Sequence, residues 1–588
     1  MEEDQENKEI IDQMNIALKK LKDWLQSKTF TSKSERFEGR EPIGAVTAPI
    51  KNEKFVYVVI SREDKEQIPQ LSQILLIFDE RFDAIVSGIV TGYKITKSDL
   101  DLNNAVIKVD LLNSHGVNLR DIRKVKIILN PGSPVFMALP EEVLNVHGYP
   151  SPSEGITLGI ILENEELLRT EDGPIKYILK DDFISKHICI SGVTGQGKSV
   201  LLKNMIFELV TKPTNLIVFD TQGDLVQVMK KMPEEYLDAE SRLLLNDLNL
   251  KYQGLEDNLV RKAIKFYKPV FTKVGGFLDT FPWENFGLES KFIRSGEELS
   301  LYLPELTQKA RNALMGLYKI FTDEHQTFHL DSFIQWMKGN EKEIDKNQVA
   351  WTDMKNSREI KLAKSTSANL LRELENFSAR GIFDQVTQPD IQDILSKKIV
   401  FFYLPRIIGY EEVRTLLVFD IISKIINFKM QAANQDKFPG FLSRQSIIII
   451  DEAHEILPNP YGLSGYENIF SEYVDREFCL LAAEGRKYNV SQITASQRLR
   501  KLNPNVVEQS NTQIFFRGSK KDIDTLSIPL NLKKELFTLK VGHAIVNSPG
   551  NLPMKNDQEI KVIPPKFLHV NPLTASKLVH EGKIKKIS

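Results

Sequence analysis

Gly192-Val-Thr-Gly-Gln-Gly-Lys-Ser199 sets two glycines around four residues, followed at once by a Lys-Ser pair. That spacing is the signature of a phosphate-binding loop. Glycines let successive backbone N–H groups turn toward one anion. A lysine in this place reaches the β- and γ-phosphates, and the serine hydroxyl ligates Mg2+. The run HICIS before the loop reads as a strand, and Val200-Leu-Leu-Lys-Asn-Met-Ile-Phe after it as a helix whose N-terminus favours negative charge. The expected ligand is therefore ATP, held by Gly192, Val193, Thr194, Gly195, Gln196, Gly197, Lys198, Ser199 and Val200, with Mg2+ on Ser199.

Ile447-Ile-Ile-Ile-Asp-Glu-Ala-His454 is the second signal. Four apolar residues ending in two acids suit a central strand that delivers carboxylates to its C-terminal edge, where ligands bind in open α/β sheets. Asp451 is the expected Mg2+ partner and Glu452 the general base for water. A third cluster joins Glu484-Gly-Arg-Lys-Tyr488 to Gln492-Ile-Thr-Ala-Ser-Gln-Arg498. Gln497, just past a strand end, can sense the γ-phosphate. Arg486 suits an arginine finger acting across a subunit boundary. Arg498, Arg500 and Lys501 suit DNA phosphates, and each of these cations equally suits a solvated basic face. In Phe219-Asp-Thr-Gln-Gly-Asp-Leu225, Asp220 and Asp224 fit either the catalytic edge or simple turn chemistry.

These residues need elements to position them. From about residue 185, apolar Val/Ile/Phe runs at 187–191, 216–219, 399–404, 447–450, 492–495, 514–516 and 544–546 alternate with helical segments. Continuous rather than alternating apolar residues predict a parallel sheet covered on both faces. Residues 230–395 read as a mostly helical insertion, with Leu255–Tyr267, Leu306–Phe321 and Ser365–Ala379 as helices. Residues 39–165 carry short β-rich runs between polar turns, which predicts a small antiparallel barrel. The expected division is an acidic helical leader over 1–38, the barrel over 39–165, an ATPase domain over 166–565 and a tail over 566–588.

The chain has 588 residues, enough for several cores, with 77 Lys+Arg against 79 Asp+Glu. That balance excludes a globally basic nucleic-acid coat but permits a local basic stripe. Two cysteines exclude a disulfide framework. The acidic start MEEDQENKEIIDQM is no signal peptide, and no apolar run approaches the length of a membrane span. A cytoplasmic protein without a membrane partner is expected.

The motifs GVTGQGKS, FDTQGDL, IIIIDEAH, EGRKY, TASQR and SNTQIFFR, in this order, resemble those of the HerA/FtsK group of DNA-translocating ATPases, and HerA more closely. Pro42-Ile-Gly-Ala-Val and Ala84-Ile-Val-Ser-Gly-Ile-Val resemble the opening β-barrel of HerA proteins. The resemblance spans about residues 40–565. It implies a RecA-like core, a homohexameric ring, double-stranded DNA through the pore, and a partner on a separate chain, either a nuclease or a defence effector such as a Sir2-type NADase. The roles implied range from DNA repair to antiviral defence. A ring that scaffolds and gates an effector without processive translocation is the alternative. The leader and the extra residues between DEAH and EGRK, Asn459 to Tyr466, depart from the family pattern.

Overall fold

The computed structural model describes most of residues 40–587. The main exceptions are 48–54, 62–68, 95–103, 124–128, 354–357, 407–410, 434–439 and 462–464; before residue 40 only Ala17, Lys19 and Phe37 are described. The expected leader helix over 1–38 lies outside the described residues. The chain divides into two compact units. One comprises Met1–Ser151, Ile160–Tyr177 and Pro549–Gln558; the other comprises Pro152–Gly159, Ile178–Ser548 and Glu559–Ser588.

In the first unit, strands β1 (Gly44–Val46), β2 (Phe55–Ser61), β3 (Ile74–Asp79), β4 (Ala84–Lys94), β5 (Asn104–His115) and β6 (Pro134–Met137) pair antiparallel in the order β2-β1-β6-β3-β4-β5. A further pairing of β2 with β5 closes the sheet into a barrel. Its filling is β-branched and aliphatic, with Val58, Leu75, Ile77, Val86, Val109 and Val135 all buried. Such side chains suit a pleated, enclosed surface. Closure also removes the open edge that a sheet this small would otherwise expose.

The second unit is built on a sheet whose strands are β7 (Ile188–Ser191), β8 (Thr214–Asp220), β9 (Ile264–Pro269), β10 (Glu284–Phe286), β11 (Ile399–Tyr403), β12 (Gln445–Ile450), β13 (Val490–Ser496), β14 (Thr512–Phe515) and β15 (His543–Asn547). They lie in the order β15-β14-β7-β13-β12-β8-β11-β9-β10. All these neighbours run parallel except β14 and β15, which are antiparallel. The apolar runs that mark the strands are buried along almost their whole length in β7, β8, β11, β12 and β13. Helices α1 (Lys198–Leu209), α6 (Glu411–Ala433) and α7 (Gly465–Glu484) connect them. This is the RecA-like arrangement, in which the ends of β7, β8, β12 and β13 share one edge.

The insertion between β8 and β11 carries α2 (Ala239–Asp247), α3 (Gln308–Glu324), α4 (Leu330–Asn340) and α5 (Lys364–Ala379), together with a small antiparallel sheet of Lys342–Glu343, Gln348–Asp353 and Arg358–Ala363. The helices expected over 306–321 and 365–379 are present. Leu255–Tyr267, by contrast, is no helix: two 3-10 turns, Leu255–Asp257 and Arg261–Ala263, lead into β9. Val260 is exposed, so the segment has no continuous helical face to bury. Phe266 and Tyr267 instead extend the main sheet beside β11 and stack on Phe401 and Phe402. Sheet pairing outweighs local helix propensity there.

Residues 566–588 fold back onto this unit through α8 (Pro572–His580), which buries Ala575 and Leu578. The side-chain amide of Gln227 both donates to and accepts from the backbone of Val570, and the Ile587 N–H donates to the Thr280 carbonyl. Among the described residues no helix is long and apolar enough to cross a membrane.

Candidate functional site

Strand β7 ends at Ser191, and the loop to α1 turns on three glycines of positive φ: Gly192 (150°), Gly195 (76°) and Gly197 (113°). At Gly192 a Cβ would lie 2.5 Å from the Cβ of Phe516, so both space and conformation demand glycine there. Lys198 opens α1 and its ammonium donates to the Val193 carbonyl at 2.9 Å, which holds it over its own loop. Burial pushes its pKa down, while the charges of Glu452 and Asp451 push it up.

Strand β12 brings Asp451 and Glu452 to the same edge. Asp451 is buried, and its carboxyl is held well above the usual range by burial first and then by the charges of Glu452, Asp220 and Asp224. Glu452 adopts a left-handed backbone (φ 47°, ψ 48°), which costs a non-glycine residue about 1–3 kcal/mol. Its carboxylate Oε1 accepts from the Gln497 amide and, at 3.3 Å, from that of Gln222. Oε2 is buried without a hydrogen-bond donor. It lies 3.4 Å from His454 Nδ1, but burial depresses the pKa of that ring to about 4, which leaves it neutral.

Gln497 completes the arrangement. Its Oε1 accepts from the Thr194 hydroxyl while its Nε2 donates to Glu452, so one amide joins the phosphate loop to the acidic strand. The register supports this directly: Ser191 pairs with Ser496 on one side of β13, and Ile450 with Thr494 on the other.

Arg486 is not brought to this edge. It is exposed in the 3-10 turn before β13, and its guanidinium donates to the Gln509 carbonyl at 2.8 Å. At about 3.3 Å rise per residue, the seven residues of β13 put Arg486 roughly 20 Å from Gln497, at the opposite edge of the sheet. Arg498, Arg500 and Lys501 are exposed around the 3-10 turn after β13. The carbonyls of Arg500 and Lys501 accept from the side chain and backbone of Asn459, which ties the basic turn to the segment following the acidic pair.

The two aspartates after β8 part company. Asp220 accepts from the backbone N–H groups of Gln222, Gly223, Asp224 and Val226, so it shapes the turn. Asp224 instead faces α1, where it pairs with Lys203 at 2.7 Å.

A cleft of about 740 Å³ opens over the phosphate loop and is lined by Thr194, Gly195, Gly197, Lys198, Ser199, Val200 and Gln497. Sequence reading did not find its opposite wall: Asp238 and Ser241 at the start of α2, with Lys540, His543, Lys561 and His569 from the C-terminal part. Lys561 pairs with Glu240, and His543 with Glu559. Lys540, His543, Lys561 and His569 lie hundreds of positions from the loop, and no residue of this wall carries a local motif. The Gly542 N–H donates to the Gln196 carbonyl, which brings this C-terminal stretch against the loop.

The donors near Ser199 and Asp451 are hydroxyl and carboxylate oxygens. Among the described residues no group of three or more His, Cys, Asp or Glu side chains gathers as a cage for an ion. That donor set fits Mg2+, which is held by one or two protein oxygens together with substrate phosphates.

Residues 166–424 match the family model described as the central domain of helicase HerA. The span contains the phosphate loop and the strands through β11, and ends before Asp451. A probable helicase of Methanocaldococcus jannaschii is 24% identical over 398 residues, covering 62% of this chain and 64% of its own length, just under two thirds. A probable DNA double-strand break repair helicase HerA of the same organism is 22% identical over 71% of this chain and 78% of its own length. Among solved structures, VirB4 of Thermoanaerobacter pseudethanolicus overlaps 70% of this chain and 97% of its own at 14% identity, with a TM-score of 0.40. Fold and phosphate loop together define a RecA-like P-loop core. Within that architecture, residues 166–424 are similar to the central domain of helicase HerA.

The loop geometry yields a paired expectation. Gly192→Ala, blocked by Phe516, should lower the stability of the nucleotide-free protein by more than Gly195→Ala, which has open space at its Cβ. Denaturant titration of both variants measures the difference, and a fluorescent ATP analogue should bind the Gly192 variant weakly.

Proposed function

We propose that the protein is an ATP-driven DNA translocase, a helicase-type motor that encircles double-stranded DNA as a homohexamer and works with a nuclease or other effector on a separate chain. The observation that carries the ATPase part is the Gln497 bridge, which joins the loop residue Thr194 to Glu452. The DNA part rests on the HerA-type central domain and on the exposed cations Arg498, Arg500 and Lys501 beside β13. A cytoplasmic place of action follows from the DNA substrate.

Each residue then has a task. The amides of Gly192–Val200 cradle the phosphates, and Lys198 neutralises charge between β and γ. Ser199 and Asp451 hold Mg2+, which supplies charge neutralisation at the phosphates. Glu452, with Oε2 free of donors, accepts a proton from the attacking water. Gln497 holds Glu452 by Nε2 and reads the γ-phosphate from beside Thr194. Arg486 serves the site of the neighbouring subunit, because its own lies across the sheet. A guanidinium on the γ-phosphate is worth roughly 10³ to 10⁵ in rate.

Two measurements test this reading. ATP turnover should rise when double-stranded DNA is added to the purified protein. A protein that ignores DNA and responds only to an effector would instead be a gating scaffold. Arg486→Ala and Lys198→Ala subunits, each inactive alone, should recover part of the turnover when mixed, since some interfaces then join an intact loop to an intact arginine. Demonstrably mixed rings without recovery would sink the assignment of Arg486 to the neighbour's site.

A further inference from the structure

Gln497 and Gln222 hold the side chain of Glu452, but not its backbone, which sits in the left-handed region at φ 47°, ψ 48°. A non-glycine residue stays there only where its surroundings over-determine it. The restraint on its C-terminal side is a single 3-10 turn, Ala453–Glu455. The Glu455 N–H donates to the Glu452 carbonyl at 2.8 Å, and the Leu457 N–H to the Ala453 carbonyl at 2.7 Å. A turn this short has few bonds of its own, so it depends on what anchors its last residue.

That anchor is Arg414, in the first turn of α6. Helix α6 follows β11, and β11 and β12 both run parallel to β8, so α6 starts at the edge that carries the acidic pair. Arg414 is only 5% exposed, and its Nη1 lies 2.9 Å from Oε2 of Glu455, whose side chain is 26% exposed. Nε and Nη1 are buried and form no hydrogen bond, so the ion pair with Glu455 is what compensates this guanidinium. A buried pair is often no more stabilising than apolar side chains of the same volume. What it fixes is position. The cation cannot part from its carboxylate without standing uncompensated inside the protein, so Glu455 and the turn it ends stay against α6.

We infer that Arg414 and Glu455 are positioning residues for the general base: their ion pair clamps the Ala453–Glu455 turn to α6 and so keeps Glu452 in the left-handed backbone that sets its carboxylate beside Gln497. This rests on the reading of Glu452 as the base.

The variants that test it are Glu455→Gln, Arg414→Met and the two combined. Glu455→Gln strands a buried cation and should lower the unfolding temperature. Arg414→Met, alone or combined with it, removes that cation, so both of these proteins should fold. In both, single-turnover ATP cleavage should fall about tenfold to a hundredfold, the upper figure being the scale of a misplacement of roughly 1 Å. Affinity for a fluorescent ATP analogue should stay near that of the unaltered protein, because the phosphate loop follows β7 and not this turn. A second readout needs no activity: the unfolding temperatures of Glu452→Gly and Glu452→Ala. Both lose the carboxylate, so their difference reports the backbone. With the pair in place glycine should be the more stable, since it takes positive φ freely. In the Arg414→Met background that advantage should vanish. Folded Arg414 variants that cleave at the unaltered rate overturn the inference. Slowed variants in which glycine keeps its full advantage overturn it too, because the pair would then act otherwise than through the Glu452 backbone. Glu452→Gln separates the two levels. Normal cleavage there means that Glu452 is not the base, and this inference goes with that assignment; cleavage lost there but kept in the Arg414 variants removes only the role of the pair.

Discussion

A side-chain amide carries an acceptor and a donor on one rigid plane, so two groups bonded to it are fixed relative to each other. Gln497 uses both ends: Thr194 donates to its oxygen and Glu452 accepts from its nitrogen. The loop and the acidic strand are not neighbours in the sheet; β13 lies between β7 and β12 and carries the amide at its tip. The rest of this edge is arranged so that the bridge can form. Parallel pairing brings the three strand ends level, three glycines let the loop turn toward the edge, and Glu452 accepts a left-handed backbone whose strain its neighbours must offset.

Electrostatics points the same way. Asp220, Asp224, Asp451 and Glu452 crowd one edge, and burial with mutual repulsion raises the pKa of Asp451 well above its ordinary value. A cation beside Asp451 would relieve that repulsion. Lys198 supplies one, and the proposed Mg2+ a second. Asp220 and Asp224 are stabilised differently, one by four backbone N–H groups and the other by a buried lysine, which shows how one short turn can carry both a structural and an electrostatic task. Arg486, at the far edge of the same sheet, is the one proposed catalytic group that a single chain cannot deliver to its own site.

Where chemistry lies in contiguous residues, the sequence was readable. GVTGQGKS needs only a strand before it and a helix after it, and both are local. The continuous apolar runs marked β7, β8, β11, β12 and β13 because strands buried on both faces have no polar side to alternate with. Gln497 was legible because it stands one residue past such a run. Leu255–Tyr267 was misread because its leucines and charges mimic a helix, while the deciding factor, a free edge beside β11, lies over a hundred residues away. The C-terminal wall of the cleft was invisible for the same reason: Lys540, Lys561 and His569 acquire their meaning only from the fold. Asp224 could be seen as a candidate, but Lys203, its buried partner, looked like an ordinary helix residue.

The central claim is that Gln497 prepares Glu452 for chemistry rather than merely bracing the fold. Single-turnover ATP cleavage by Gln497→Ala, measured with nucleotide affinity on the same preparation, addresses it most directly. Cleavage is expected to fall by about 10² or more, the scale of a misplaced general base, while ATP affinity stays within a few-fold. Cleavage at the unaltered rate in a folded variant that binds ATP normally would contradict the claim.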